Sequence, residues 1–462
     1  MPPRLRNPLL LLASYAVYWL LDARCLWLLV AATAVAYALG LAIERALQSG
    51  RERLASALTT LGVTAAVALL VAFKYLDFFA AEAAALLGVL GVKATWTALH
   101  LVLPVGLSFY TFKLISYLVE IHRTHLAAER DAVAFAAYVA FFPTILAGPI
   151  DRPAAFLPQL RAPWRPCAAD LAAGFRMALW GAVMKVCVAD LLAPLTDSVW
   201  ADGGATAAGW AFLLYPVQMY ADFSGYSLMA IGAGRALGFK VAANFNRPFL
   251  ARNVAEYWRR WHMSLTGWIT DYVFIPLNLH WRDAGRVGQA AAVTVNLVVI
   301  GLWHGANWTY LLFGLYHAAL FLPLIRSGAF ARRKKFRAAR WGLPSRADAG
   351  RMALTYLLVA VAFVLFRAPT VGAALGFFAH LATAAAFAPP AVAGFRLLYV
   401  GFAVAALAWE YVARDRACPL DFAAHGLLRH RAARWAVYYA LLALLYTHAS
   451  GPAVPAFIYT QF

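Results

Sequence analysis

The residue that first invites a chemical reading is His304, in Gly301-Leu-Trp-His-Gly-Ala-Asn-Trp308. It follows an apolar run, Ala290 to Ile300, interrupted only by Thr294 and Asn296. An ionisable side chain at membrane depth is costly unless it faces a cavity or a partner, so its default reading is functional. An imidazole with the ordinary pKa of about 6.5 can take and return a proton at neutral pH. Asn307 lies three residues on, on the same helical face if the helix is unbroken, and could orient the ring. Gly305 would let a substrate or another backbone come close. The competing reading is a core histidine satisfied by a hydrogen bond between helices.

Two further histidines lie nearby in the sequence. His262 sits in Trp258-Arg-Arg-Trp-His-Met-Ser264, where Arg259 and Arg260 could serve an anionic group or anchor at a membrane surface. His317 lies thirteen residues past His304. On one continuous helix that is a rotation of roughly 220°, which points to a structural role. Asp222, in Tyr220-Ala-Asp-Phe-Ser-Gly-Tyr226, is a buried-looking charge expected to pair with an arginine such as Arg247 or Arg252. Cys25, Cys167, Cys187 and Cys418 are scattered, with no CxxC pair and no metal-type spacing, so neither a disulfide framework nor a metal site is expected. No phosphate-binding loop, dinucleotide fingerprint, metalloprotease helix or hydrolase nucleophile elbow is present.

The elements that must position these residues are membrane helices. Of 462 residues, 63% are hydrophobic and 13% charged. That is about half the charged fraction of a soluble domain. Mean hydropathy is +0.67. The first apolar stretch, Pro8 to Leu21, reads as a retained transmembrane helix, because another apolar run starts almost at once at Cys25. The fold class is therefore all-α and polytopic, with roughly 10–12 crossings plus re-entrant or interfacial pieces. A net charge of +19 fits lysines and arginines gathered in cytoplasmic loops and needs no nucleic acid. The densest run, Arg326 to Arg340 continuing to Arg346 and Arg351, is placed in the cytoplasm, in contact with membrane lipid.

Polar residues are unevenly spread. Residues 1–100 read as peripheral hydrophobic helices, 326–351 as a basic loop, and 352–462 as further hydrophobic helices with isolated charges such as Arg367 and Glu410. Between 101 and 325, prolines, glycines, aromatics, asparagines and histidines keep interrupting the apolar runs. The stretch Asn244 to His262 is too polar to cross lipid, and its Trp, Tyr and Arg suit a headgroup boundary or a protein-lined cavity.

Several segments together resemble the membrane-bound O-acyltransferases, in the branch that O-acetylates bacterial alginate. They are Leu103-Pro-Val-Gly-Leu-Ser-Phe-Tyr-Thr-Phe112, Phe141-Phe-Pro-Thr-Ile-Leu-Ala-Gly-Pro-Ile150 and Ala221-Asp-Phe-Ser-Gly-Tyr-Ser227. The series continues through Asn244-Phe-Asn-Arg-Pro-Phe-Leu-Ala-Arg-Asn253, the Trp258 and Leu302 segments, Leu315-Tyr-His317 and the ending Phe457-Ile-Tyr-Thr-Gln-Phe462. The chain departs from the family pattern at Leu228, where an acidic residue is common, and at Thr460, where an aromatic is usual.

The resemblance implies one domain, helical around a central tunnel, with His304 in the tunnel wall and His262 as the family's second histidine. It implies acyl transfer in the bacterial inner membrane, with acetyl-CoA or another acyl thioester as donor substrate and no tightly bound cofactor. His304 would act as general base on the acceptor, with Asn307 or His262 orienting the reactants. Arg259 and Arg260 could engage the donor's phosphates. The implied partners are an extracytoplasmic esterase-like acetyltransferase or a polysaccharide acceptor. D-alanyl transfer to teichoic acid and peptidoglycan O-acetylation are alternatives within the class. A transporter or flippase for a polysaccharide precursor is the alternative outside it, disfavoured by the lack of an internal repeat.

Overall fold

Runs of Leu, Ala and Val favour helix, and lipid enforces it, because a spanning backbone must satisfy its own N–H and C=O groups. The computed structural model describes residues 2–92, 99, 101–163, 165, 167–330, 342–390, 392, 395–422 and 429–449, and among these it holds helices and no strand. Most of the basic run after Arg326 and the ending Phe457–Phe462, with Thr460, lie outside the described residues. Six segments among those described are long and apolar enough to cross a bilayer: Pro3–Gln48, Glu52–Lys74, Ala168–Ala201, Arg282–His304, Trp308–Arg326 and Arg346–Arg367. The first contains two helices, α1 (Pro3–Asp22) and α2 (Leu26–Gln48). Other apolar runs counted from composition form shorter helices, within Ala132–Ile145, Val371–Leu381 and Leu397–Val412.

Contacts divide the chain into two units, Met1–Leu171 with Ala233–Ala242, and Ala172–Gly232 with Ala243–Phe462. The motif-rich stretch 101–325 is shared between them, so the units do not follow the divisions drawn from composition.

In the first unit, α1 and α2 are followed by α3 (Glu52–Lys74), α4 (Leu76–Val89), α5 (Leu107–His122), α6 (Ala132–Val139), α7 (Phe142–Ile145) and α8 (Pro153–Arg161). α5 is its buried centre. It starts at Gly106, whose φ of 69° is left-handed and where a Cβ would lie 2.2 Å from the Ile145 carbonyl oxygen, so only glycine fits. The Thr111 hydroxyl of α5 is satisfied within the helix, donating to the Leu107 carbonyl at 2.7 Å. The buried Lys113 ammonium donates to the carbonyls of Tyr138 and Val139 at 3.1 and 3.4 Å, and to Thr144 Oγ1 at 3.4 Å. It thereby ties α5 to the end of α6 and to α7, within electrostatic reach of buried Asp151.

In the second unit, α9 (Ala168–Met184) passes through a π-helical turn, Lys185–Ala189, into α10 (Asp190–Ala201), and α11 (Ala208–Ala236) packs beside them. A polar segment follows with two short helices, α12 (Val254–Trp258) and α13 (Met263–Ile269), and a third, α14 (Ile275–His280). The long helices α15 (Gly285–His304), α16 (Trp308–Arg326) and α17 (Arg346–Arg367) come next. α18 (Val371–Leu381), α19 (Leu397–Val412) and α20 (Arg431–Ala449) complete the unit. α15 and α16 form an antiparallel hairpin: Gly301 lies against Tyr310, and Gly314 against Leu297. These small residues let two helices approach where lipid supplies no hydrophobic drive between them.

Lys113→Met removes the donor to two buried carbonyls and a nearby charge that favours ionised Asp151. It is expected to cost about 1–3 kcal/mol of stability, the usual cost of leaving a buried group unpaired, seen as a lower unfolding temperature of the protein in detergent. Adding Asp151→Asn should recover part of that loss.

Candidate active site

α15 ends on His304 because Gly305 is extended, with φ 178° and ψ 166°. Helix resumes at Trp308 with Asn307 as its N-cap. The Asn307 Oδ1 accepts from the Thr309 N–H at 3.0 Å, and its Nδ2 donates to the Pro369 carbonyl at 2.9 Å. The helix is thus broken between His304 and Asn307, and the expectation of a shared helical face is corrected. The amide of Asn307 is committed to the cap and to the chain just after α17.

His304 is buried, with 4% exposure. Its ring lies 5.1 Å from Trp303, 4.8 Å from Phe366, and 6.4 Å from both Tyr310 and Phe313, measured between centroids. A Cβ on Gly305 would fall 2.5 Å from the Tyr310 ring, so this glycine is required for the enclosure to close.

His262 reaches the same cluster from another direction. It precedes α13 in the left-handed region, at φ 41°, which is uncommon for a residue with a side chain. Strain of this kind gathers at functional sites, where surrounding contacts hold it in place. The contact here is Asn244, whose Oδ1 lies 2.9 Å from His262 Nδ1. That oxygen also accepts from the Ser264 hydroxyl at 2.9 Å and the Ser264 N–H at 3.4 Å, while Asn244 Nδ2 donates to the Ser227 hydroxyl at 3.0 Å. A backbone N–H can only donate, which fixes the amide orientation, and the oxygen in turn makes His262 Nδ1 the protonated nitrogen. Its Nε2 therefore carries the lone pair. Burial pushes the pKa of this imidazole down to about 3, so it is neutral across the physiological range. Its ring contacts Phe223 at 4.7 Å and Trp303 at 5.7 Å. Trp303 thus touches both histidines.

His317 also belongs to the cluster. It receives a hydrogen bond at Nδ1 from Trp258 Nε1 at 3.3 Å, and its ring lies 4.7 Å from Phe313. Indole N–H is a donor only, so the proton of His317 sits on Nε2. The 220° separation assumed one helix; the hairpin instead brings His317 back to Phe313, which also touches His304.

The charged residues find partners the sequence did not specify. Asp222 is held by a lysine rather than by Arg247, which is engaged elsewhere. It is bound by Lys185 of the π-helical turn at 2.6 Å, and Lys185 also meets Asp190 at 2.7 Å. Arg247 donates to the carbonyls of Ala413, Arg414 and Arg416. Arg252 and Arg260 both hold Glu256, at 3.0 and 2.9 Å. Burial alone would raise the pKa of that carboxyl, but the hydrogen bonds from the two arginines outweigh it and hold it below the ordinary value. Arg260 is therefore engaged within the protein, whereas Arg259 is exposed at the surface.

Three contributors were not singled out from sequence. Asn244 lay in a quoted motif, but its grip on His262 spans 18 positions. Phe366 had no signal, since a phenylalanine in an apolar helix is ordinary core. Glu410, seen only as an isolated charge, accepts from Tyr220 at 2.7 Å and Trp180 at 3.4 Å. Tyr220 packs in turn against Phe245, Phe249 and Trp261 of the segment leading to His262.

These features define a multi-pass α-helical membrane protein with histidines gathered in a closed aromatic site. Residues 122–342 match the membrane-bound O-acyltransferase family. The chain is 37% identical over 390 residues to the probable alginate O-acetylase AlgI of Azotobacter vinelandii, covering 82% of this chain and 73% of that one. It is 30% identical over 408 residues to the peptidoglycan O-acetyltransferase of Helicobacter pylori, covering 80% and 73%. A teichoic acid D-alanyltransferase of Streptococcus thermophilus is 30% identical over 245 residues, half of this chain and 58% of its own. The chain belongs to the membrane-bound O-acyltransferase family and is an acyltransferase.

If Asn307 acts through its cap, Asn307→Ala should cost about 1 kcal/mol of stability, the usual worth of such a cap. Asn307→Ser, which still caps, should restore most of it. Thermal unfolding beside acyl-transfer rates checks this: activity lost in the Ser variant at full stability would instead assign the amide a direct part in the reaction.

Proposed function

We propose that this protein transfers an acetyl group from a cytoplasmic thioester, acetyl-CoA being the simplest, for O-acetylation of an exported polysaccharide at the bacterial inner membrane. The observation that carries the reading is the enclosure of His304 at a helix break, walled by aromatic rings and reached by a second, neutral histidine. An alcohol attacks a thioester slowly until it loses its proton, and a positioned imidazole is the usual acceptor of that proton. His304 takes the hydroxyl proton as the oxygen bonds to the acetyl carbonyl carbon. The carbon–sulfur bond then breaks, and the departing thiolate receives the proton back from His304. The aromatic wall keeps out water, which would otherwise hydrolyse the thioester.

His262 fits an orienting role, with its Nε2 lone pair held in place by Asn244. Arg259, exposed at the surface, is placed where a donor's phosphates could reach it. The acceptor follows the relatives that match most of the chain, which are O-acetylating; an esterase-like partner outside the membrane would complete delivery to the polymer. The D-alanyl reading draws on a relative that matches only half of the chain.

Membrane vesicles given labelled acetyl-CoA on the cytoplasmic side test the reading. His304→Ala should lower the appearance of label on the acceptor side by about 10²–10⁴-fold, the usual contribution of a positioned base. A His304→Ala protein that transfers at the wild-type rate, at equal membrane abundance, would end it.

A further inference from the structure

The wall that meets His304 most closely comes from α17, beyond the 122–342 stretch that matches the family. Phe366 is 3% exposed and presents its ring to His304 at 4.8 Å with an interplanar angle of 79°. The same ring lies 5.2 Å from Tyr310, 5.4 Å from Phe313 and 6.0 Å from Phe363. It thus contacts two of the other rings around His304, Tyr310 and Phe313. Behind it, Phe363 lines a tightly packed apolar cleft with Trp200, Phe212, Tyr215, Val364 and Phe377.

We propose that Phe366 is the acyl-length stop of this site: it closes the space over His304 at a short acyl group. The proposal rests on the reading of His304 as the centre of acyl transfer and specifies which acyl groups that centre accepts. The physical basis is packing. Interiors at crystal-like density do not admit extra methylenes without displacing a neighbour. A tight apolar pocket typically separates substrates differing by one methylene by about 10–200-fold. Phe366 is the side chain whose removal enlarges the space at His304 and leaves Phe363 as the next wall.

The test uses the full-length protein in vesicles with acetyl-, propionyl- and butyryl-CoA, comparing wild type, Phe366→Ala and Phe366→Leu. Leucine keeps most of the packing and guards against a variant that fails to fold. Wild type should favour acetyl over butyryl, and Phe366→Ala should raise the butyryl-to-acetyl ratio of kcat/KM at least about tenfold, with Phe366→Leu between them. A wild type that uses butyryl as well as acetyl would overturn the proposal. So would a ratio that stays fixed in both variants, whether overall activity holds or falls equally for every donor. His304→Ala, run alongside, separates the two ideas. If it retains wild-type acetyl transfer, the reading of His304 fails whatever the Phe366 variants do.

Discussion

A helix stopped in an apolar environment exposes backbone groups that lipid cannot satisfy, and the whole site turns on how one such stop is made. After His304 the chain leaves helical geometry at Gly305 and resumes it at Trp308. Asn307 satisfies one orphaned N–H of the new helix and, through its other amide group, holds the carbonyl of Pro369. One side chain therefore sets the break, the hairpin and the position of the end of α17. The consequences run directly to the chemistry. Had α15 and α16 formed one rod, His304 and His317 would face different directions, and Phe366 would have no fixed place beside the imidazole.

Buried charges do similar positioning work elsewhere in the second unit. Between helices in a membrane, apolar packing alone discriminates poorly, so hydrogen bonds and ion pairs carry much of the specificity of arrangement. Lys185 joins the π-helical turn to α10 and α11 through Asp190 and Asp222. Glu410 joins α19 to α9 and α11 through Trp180 and Tyr220. Arg247 holds the chain just after α19 by three carbonyls. π-helical turns cost helix hydrogen bonding and recur at functional sites. Here the turn places Lys185 against two acids.

The sequence revealed the type of fold and the burial of a costly histidine, His304, because both depend on local cost. Apolar composition dictates membrane helices, and a histidine such as His304 in an apolar run is expensive wherever its partners lie. Choice of partner was not legible, because it depends on which helices meet. Asp222 had arginines near it in sequence but a lysine near it in space. Arg259 and Arg260 looked equivalent in Trp258-Arg-Arg-Trp-His262, yet the five-residue helix α12 turns Arg260 onto Glu256 and leaves Arg259 outside. Composition marks apolar runs, but length decides spanning, and α18 at 11 residues is too short for a bilayer needing about 20.

The two histidines that meet at Trp303 are not equivalent, and the network around His262 explains why. Its Nδ1 proton is locked by Asn244, and complete burial makes its cationic form costly, with the pKa pushed down to about 3. A base so weak gains little by taking a proton near neutral pH, since catalytic bases work best with pKa values near the operating pH. What His262 offers is a fixed lone pair at Nε2, on a ring held by a strained backbone and by edge contacts to Phe223 and Trp303. That suits accepting a hydrogen bond and orienting a reactant. His317 is the converse case: Trp258 occupies its Nδ1, so it presents a proton at Nε2 and no lone pair. Of the three histidines in the cluster, two are thus fixed in complementary tautomers by donors and acceptors on other segments. His304, the third, sits at the helix break itself.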